Sequence, residues 1–317
     1  MAGVRVVCGY FPNGQAVGSE DCLYLNIWRP ATNRGGLPVI VFVHGGSNVS
    51  GYTADPVYDG AALAQSANAI VVTVNYRLDV LGFLQMPQLH SGKDAYTGNY
   101  ALLDNVQALT FIQRNIAKFG GNAANVTLMG QSAGAINVLA LLTAPQAAGL
   151  FHKIVPISGG ISLASNLPAG SIPTLNPASK YAAQAGGLLA ALALADGLAP
   201  DAAAAATLVA GWTPAQTASY LRGKDGRVVL QTVLQKGLTG SGPIPDGVVV
   251  PTNPCTTQER TLPKNVSTSP PMEGARTMAQ SASVPPINLC IFSSPCSRLS
   301  SMFYNCISIR VHLCYLW

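Results

Sequence analysis

Residues Val126 to Met129 form a short apolar run. Gly130-Gln131-Ser132-Ala133-Gly134 follows at once, and Ala135 to Leu142 is a largely apolar, helix-like stretch. A strand, a G-x-S-x-G turn and a helix in that order make a nucleophile elbow, and few chain architectures accommodate one. The turn is so tight that side chains flanking the serine would clash, which is why glycines stand on both sides. Ser132 is then pushed outward and left free to attack. A bare G-x-S-x-G arises by accident in a chain rich in glycine and serine; the flanking apolar segments are what give it meaning.

A second feature lies upstream. Pro38 to Val43 is an uninterrupted apolar run, expected as a buried strand, and it leads directly into His44-Gly45-Gly46. Glycines at such a point let the backbone approach a substrate carbonyl. The N–H groups of Gly45 and Gly46, with that of Ala133, can then stabilise the negative charge of a tetrahedral intermediate. Alone, a Gly-Gly pair after a core strand would be only a turn. Paired with an elbow, it is a candidate oxyanion hole.

With these residues in hand, the chain resembles the type-B carboxylesterases, relatives of cholinesterases and para-nitrobenzyl esterase within the α/β-hydrolase superfamily. Ser19-Glu20-Asp21-Cys22-Leu23-Tyr24-Leu25-Asn26 is similar to one family signature, and Asn75-Tyr76-Arg77-Leu78 with Leu81-Gly82-Phe83-Leu84 to another. Gly98 to Asp104, Asn115 to Asn122 and Gly130 to Ala135 follow in the family's order, and weaker similarity continues through Phe151 to Gly160 as far as Pro245 to Pro251. The resemblance covers roughly residues 8 to 251. It implies an α/β fold with a mostly parallel central sheet flanked by helices, incomplete at its C-terminal end. It also implies acyl transfer: Ser132 attacks an ester carbonyl, the alcohol departs, and water hydrolyses the acyl-enzyme.

Such a serine needs a histidine to take its proton and a carboxylate to orient that histidine, and in this superfamily both follow the serine. After Ser132 the only histidines are His152 and His312. His152 sits in a Phe-His-Lys segment that is ordinary structure in the family, and His312 lacks the family's surrounding motif. Glu259 and Glu273 are the carboxylates at hand, and Glu259 is the better placed, yet neither carries the family pattern. The acid and base are therefore unassigned, with Glu259 and His312 as weak candidates. The expectation is a serine esterase of impaired activity. A catalytically silent hydrolase-like fragment, or a binding domain, is the alternative.

Character changes near Thr252. Residues 1–251 form the expected hydrolase domain. Residues 252–317 accumulate Pro, Ser and Thr and hold five of the seven cysteines (Cys255, Cys290, Cys296, Cys306, Cys314), so an irregular tail is expected. The spacing shows no metal-binding Cys pairs. Relative to the family, both ends look cut. Met1 to Val7 has one arginine and no apolar stretch behind it, so no signal peptide is visible and the compartment stays open.

Composition narrows the remaining classes. The 317 residues are 49% hydrophobic and only 10% charged, against about 25% in ordinary globular chains, so a large core under a thinly charged surface is expected. The Ala/Leu/Gly run from Ala185 to Ala195 falls short of the ~20 residues that span a bilayer and is expected as a packing helix. The net charge of +5 is scattered without a basic stripe, which argues against nucleic acid as partner. No P-loop, dinucleotide motif or metal cluster is present in the sequence, and no cofactor is expected. Three matches to the N-glycosylation pattern, at Asn48, Asn125 and Asn265, are at the level of chance. Two expectations come from the resemblance alone. Cys22 belongs to a motif whose cysteine is commonly disulfide-bonded upstream, which makes Cys8 a candidate partner; two buried thiols are the alternative. Gln131 replaces a glutamate that cholinesterases carry before the nucleophile, which favours a small neutral ester as substrate.

Overall fold

The computed structural model describes residues 14–89, 98–238 and 242–254, with the backbone of 307–312. Among these, β1 (Tyr24–Arg29), β2 (Leu37–Val43), β3 (Ile70–Val74), β4 (Gly121–Gln131), β5 (Lys153–Ile157) and β6 (Ile307–His312) join one sheet in the order β5-β4-β2-β3-β1-β6. The pairs β5-β4, β4-β2 and β2-β3 are parallel, while β1 runs antiparallel to both β3 and β6. This is the mostly parallel sheet expected from the sequence. All five residues of β3 are buried, as a strand covered on both faces requires.

Helices cover the two faces. On one lie α3 (Tyr100–Asn115) and α4 (Ala133–Thr143); Leu102, Leu109, Ile112, Val138 and Leu141 share one core with Val39, Val41, Val43, Ile70, Val72 and Leu128. On the other lies α1 (Ala61–Ala67), whose Ala64 packs with Trp28 and Val71. Helical spacing from Leu102 and Leu109 allows either Ile112 or Gln113 on the core face of α3. Ile112 takes it, and Gln113 reaches out to donate to the carbonyls of Ala123 and Leu150, both at 2.9 Å. Asn99 stands at the N-cap position of α3 and has the side chain for a cap, yet it makes no cap bond. Its amide instead donates to the Ile244 carbonyl at 2.9 Å and to Asp246 at 3.0 Å, and accepts from the Ile244 N–H at 2.7 Å. A buried two-way tie to a distant segment wins over a local cap.

After the short α2 (Asp79–Gly82), a second group of helices lies beyond the sheet. These are α5 (Ala178–Ala195), α6 (Ala202–Ala210), α7 (Pro214–Arg222) and α8 (Gly226–Gln235). α5 is the packing helix expected from its composition, with Ala185, Leu188, Leu189, Leu192 and Ala193 buried. Thr213 and Gln216 form a reciprocal capping box at the start of α7. No helix among the described residues is long and apolar enough to cross a membrane.

β6 departs from the irregular tail expected after residue 251. It pairs along all of β1, from Tyr24 with His312 to Arg29 with Ile307. Its sequence alternates Ile, Val with Ser, Arg, His, the period of a strand, inside a segment whose composition hid it.

The connections locate the site. From β2 the chain passes through α1 to β3 on one side; from β4 it passes through α4 to β5 on the other. Neighbouring parallel strands whose connections diverge leave a crevice at their C-terminal ends, where open α/β sheets place ligands. The two motifs singled out in the sequence occupy those two ends.

Candidate active site

Register does the first part of the assembly. Val43, the last residue of β2, pairs with Gly130 of β4, which sets His44-Gly45-Gly46 beside the turn that carries Ser132. The turn is as tight as the sequence requires. A Cβ on Gly130 would lie 2.4 Å from the Gly134 carbonyl oxygen, and one on Gly134 would lie 2.2 Å from that of Val43. Both glycines are forced by backbone contact.

Ser132 adopts φ 56° and ψ −123°, a region that non-glycine residues enter at a cost of about 1–3 kcal/mol. Its backbone is held there from both sides. The Ser132 N–H donates to the Ile157 carbonyl at 2.8 Å, and its carbonyl accepts from Ala135 at 2.9 Å and Ile136 at 3.1 Å. The side chain is half-buried at the N-terminus of α4, where unpaired N–H groups and the helix dipole favour negative charge.

Of the expected oxyanion donors, Gly45 lies against this point and Ala133 follows Ser132 in the chain. A Cβ on Gly45 would sit 3.1 Å from the Ser132 Cβ, so the loop after β2 runs against the serine itself. Among the described residues no hydrogen bond takes up the N–H of Gly45, Gly46 or Ala133. Gln131 ends β4 with its side chain exposed and its Oε1 directed at Gly45.

Beneath that loop lies a group the sequence did not single out. The His44 ring is 2% exposed and stacks on Tyr76 at 4.5 Å and on Tyr58 at 5.9 Å. Its Nδ1 donates to the Gly45 carbonyl at 2.8 Å, while Nε2 is buried without a hydrogen-bond partner among the described residues. Burial lowers its pKa from 6.5 to about 4, against the smaller opposing effect of the Gly45 bond. His44 is thus neutral and structural at neutral pH. The unfolded chain takes up this proton near pH 6.5 and the folded chain only near 4, so stability falls as pH drops through that window. The expected loss is about 3 kcal/mol, from 1.36 kcal/mol per pKa unit. Urea midpoints measured from pH 7 to 4 should show it, and His44→Phe, which keeps a ring but cannot titrate, should flatten the slope.

Of the other histidines, His90 lies outside the described residues, and His152 and the β6 position of His312 stand away from Ser132. His152 precedes β5, where its Nδ1 accepts from the Val126 N–H at 3.2 Å. That places it six residues of strand from Ser132, about 20 Å at ~3.3 Å per residue. His312 ends β6, separated from β4 by β1, β3 and β2, about 19 Å at ~4.8 Å per strand. Glu259, Glu273 and Cys8 lie outside the described residues. Cys22 is buried and disulfide-bonded, which decides against a free thiol there; its partner lies outside the described residues. The glycosylation match at Asn48 falls on a side chain only 3% exposed. Among the described residues no cluster of His, Cys, Asp and Glu could hold a metal ion.

The geometry can be set beside known proteins. The model of the carboxylesterase family matches residues 7–282. The chain belongs to the carboxylesterase family. The family match runs past residue 251, where the resemblance read from motifs ends. Para-nitrobenzyl esterase of Bacillus subtilis is 48% identical over 141 residues, 44% of this chain and 28% of that protein. Human cocaine esterase is 44% identical over 160 residues, 50% of this chain and 27% of the other. Among solved structures, a thermophilic para-nitrobenzyl esterase is similar with a TM-score of 0.60 and 31% identity over 75% of this chain and 44% of its own. A Geobacillus stearothermophilus carboxylesterase follows with a TM-score of 0.58 and 32% identity, over 75% and 44%. The chain spans about a quarter to a third of the length of the curated relatives it matches. The residues matched by the carboxylesterase family include the elbow and the loop after β2.

Proposed function

We propose that this chain hydrolyses small neutral carboxylic esters through an acyl-enzyme on Ser132, at a turnover well below that of a serine esterase with a full triad. One observation carries the reading: the strained Ser132 stands at the sheet's crevice with the Gly45 loop against it. In the proposed step the Ser132 hydroxyl oxygen bonds to the ester carbonyl carbon, and the carbonyl oxygen becomes an oxyanion. The N–H groups of Gly45, Gly46 and Ala133, joined by the dipole of α4, stabilise that charge. Collapse expels the alcohol, and water then releases the acid.

The low turnover follows from the base. His44 is locked in a buried stack, and His152 and the β6 position of His312 lie about 20 Å away, so none of these three takes the serine proton, which passes to solvent water and from there to the departing alkoxide. Loss of the histidine costs a serine protease on the order of 10⁶ in kcat, and the oxyanion hole and binding alone leave ~10³–10⁴ over water. The uncharged Gln131 beside the loop supports the preference for neutral esters. Hydrolysis of p-nitrophenyl butyrate by the purified chain, run beside Ser132→Ala and beside a cationic choline ester, tests all three elements. Slow turnover that is lost in Ser132→Ala and weaker still on the choline ester is expected. Turnover equal in wild type and Ser132→Ala would overturn the assignment of the nucleophile.

A further inference from the structure

The loop that brings its N–H groups to Ser132 is conformationally expensive. Ser47 and Asn48 both have positive φ, at 55° and 58°, so two successive non-glycine residues sit in the left-handed region. Something must hold them there. Asn48 is buried, and its Oδ1 accepts from the Nδ2 of Asn137 at 2.8 Å. Asn137 is fully buried in the second turn of α4, the helix that starts at the nucleophile. The other end of the loop is held separately: the buried Tyr76 hydroxyl donates to the His44 carbonyl at 2.7 Å. Asn137 thus ties Asn48 to the helix that carries Ser132, while Tyr76 holds the loop at His44. From the far side, the Asp79 N–H donates to the Asn48 carbonyl at 2.7 Å.

The arrangement costs stability. Asn137 Oδ1 is buried without a hydrogen bond among the described residues, where an apolar side chain of equal size would leave nothing unpaired. A polar group kept at such a place acts through geometry.

We propose that Asn137 is a positioning residue, which fixes the loop bearing the Gly45 and Gly46 N–H groups to the helix bearing Ser132 by clamping Asn48. The proposal rests on the esterase reading for its catalytic consequence, but the clamp itself is a structural statement with its own readout. Asn137→Leu removes the amide while keeping four side-chain heavy atoms branched at the same carbon. Asn48→Gly removes the acceptor while tolerating positive φ, and Asn48→Asp restores an acceptor in a residue that also enters the left-handed region.

Two measurements decide it. In amide hydrogen exchange, the loop bonds from Val49 and Ser50 to the Gly46 carbonyl and from Asp79 to Asn48 report directly on the clamp. Exchange at these amides is expected to quicken at least tenfold in Asn137→Leu and Asn48→Gly, to return toward wild type in Asn48→Asp, and to stay unchanged in β3 and β4. With p-nitrophenyl butyrate, kcat is expected to fall about 10²-fold at constant KM in the first two variants, the loss that follows from a displaced oxyanion donor. Loop exchange that stays at wild-type rates in Asn137→Leu, with the fold intact, would overturn the proposal. Should Asn137→Leu not fold, Asn48→Gly set against Asn48→Asp decides in the same way. Should wild type show no turnover, the esterase reading fails while the exchange measurement still upholds or overturns the clamp.

Discussion

Gly134→Val is expected to prevent cooperative folding, and Gly134→Ala to lower stability by more than about 3 kcal/mol, the upper end of ordinary overpacking penalties. A single methyl there would meet the Val43 carbonyl oxygen at 2.2 Å and the His44 carbonyl oxygen at 2.6 Å. Neither is a flexible side chain. Relief would require pulling α4 from the end of β2, and so separating Ser132 from the loop that faces it. At 2–4 °C per kcal/mol for domains of roughly this size, Gly134→Ala should lower Tm by about 6–12 °C. Gly35→Ala is the control, since nothing lies within 4 Å of its added Cβ. Thermal melts followed by circular dichroism check both, and equal Tm values for the two alanine variants would contradict the packing described.

The second large effect concerns Asp104. Its side chain is fully buried and accepts from the Arg77 guanidinium at Nη2 (2.7 Å) and Nε (2.9 Å), and from the Arg77 backbone N–H at 2.9 Å. Arg77, 13% exposed, also lies over the Tyr100 ring at 5.2 Å. These bonds pin the segment after β3 to the first turn and a half of α3. Asp104→Ala leaves the guanidinium buried without its carboxylate, and breaking such a pair from one side costs about 3–5 kcal/mol. Asp104→Asn keeps an acceptor and should lose less. Urea midpoints report the difference; a loss below about 1 kcal/mol in Asp104→Ala would show the pair to be solvated.

Much of the sheet and the two glycine motifs that meet at its C-terminal edge were legible because each left a local pattern. β2 and β4 end in glycine motifs whose spacing has one good structural explanation, and α3 and α5 carry apolar faces at helical period. What escaped depended on contacts between distant segments. Asn99 has the chemistry of a cap, but Ile244 and Asp246 claim its amide. α8 was hidden in a stretch dominated by Ala, Gly and Pro, although Asp225 caps it and Val229, Leu230 and Val233 give it a buried face. β6 was hidden by the Cys- and Ser-rich composition around it. Asn48, Tyr76 and Asn137 could not be placed together at all. Asn137 does interrupt an apolar run, yet a polar residue in a helix is ordinarily on its outer face, and nothing local says that this one is inside. Its role follows only from the strand order that sets β2 beside β4.

Ser132 as the acylated group is tested most directly by incubating the folded chain with a fluorophosphonate and mapping the adduct by mass spectrometry. Attack by the Ser132 hydroxyl expels fluoride and leaves a single phosphonyl ester on Ser132, absent in Ser132→Ala, and that is the predicted result. A folded chain that remains unmodified, or one modified equally in Ser132→Ala, would contradict it.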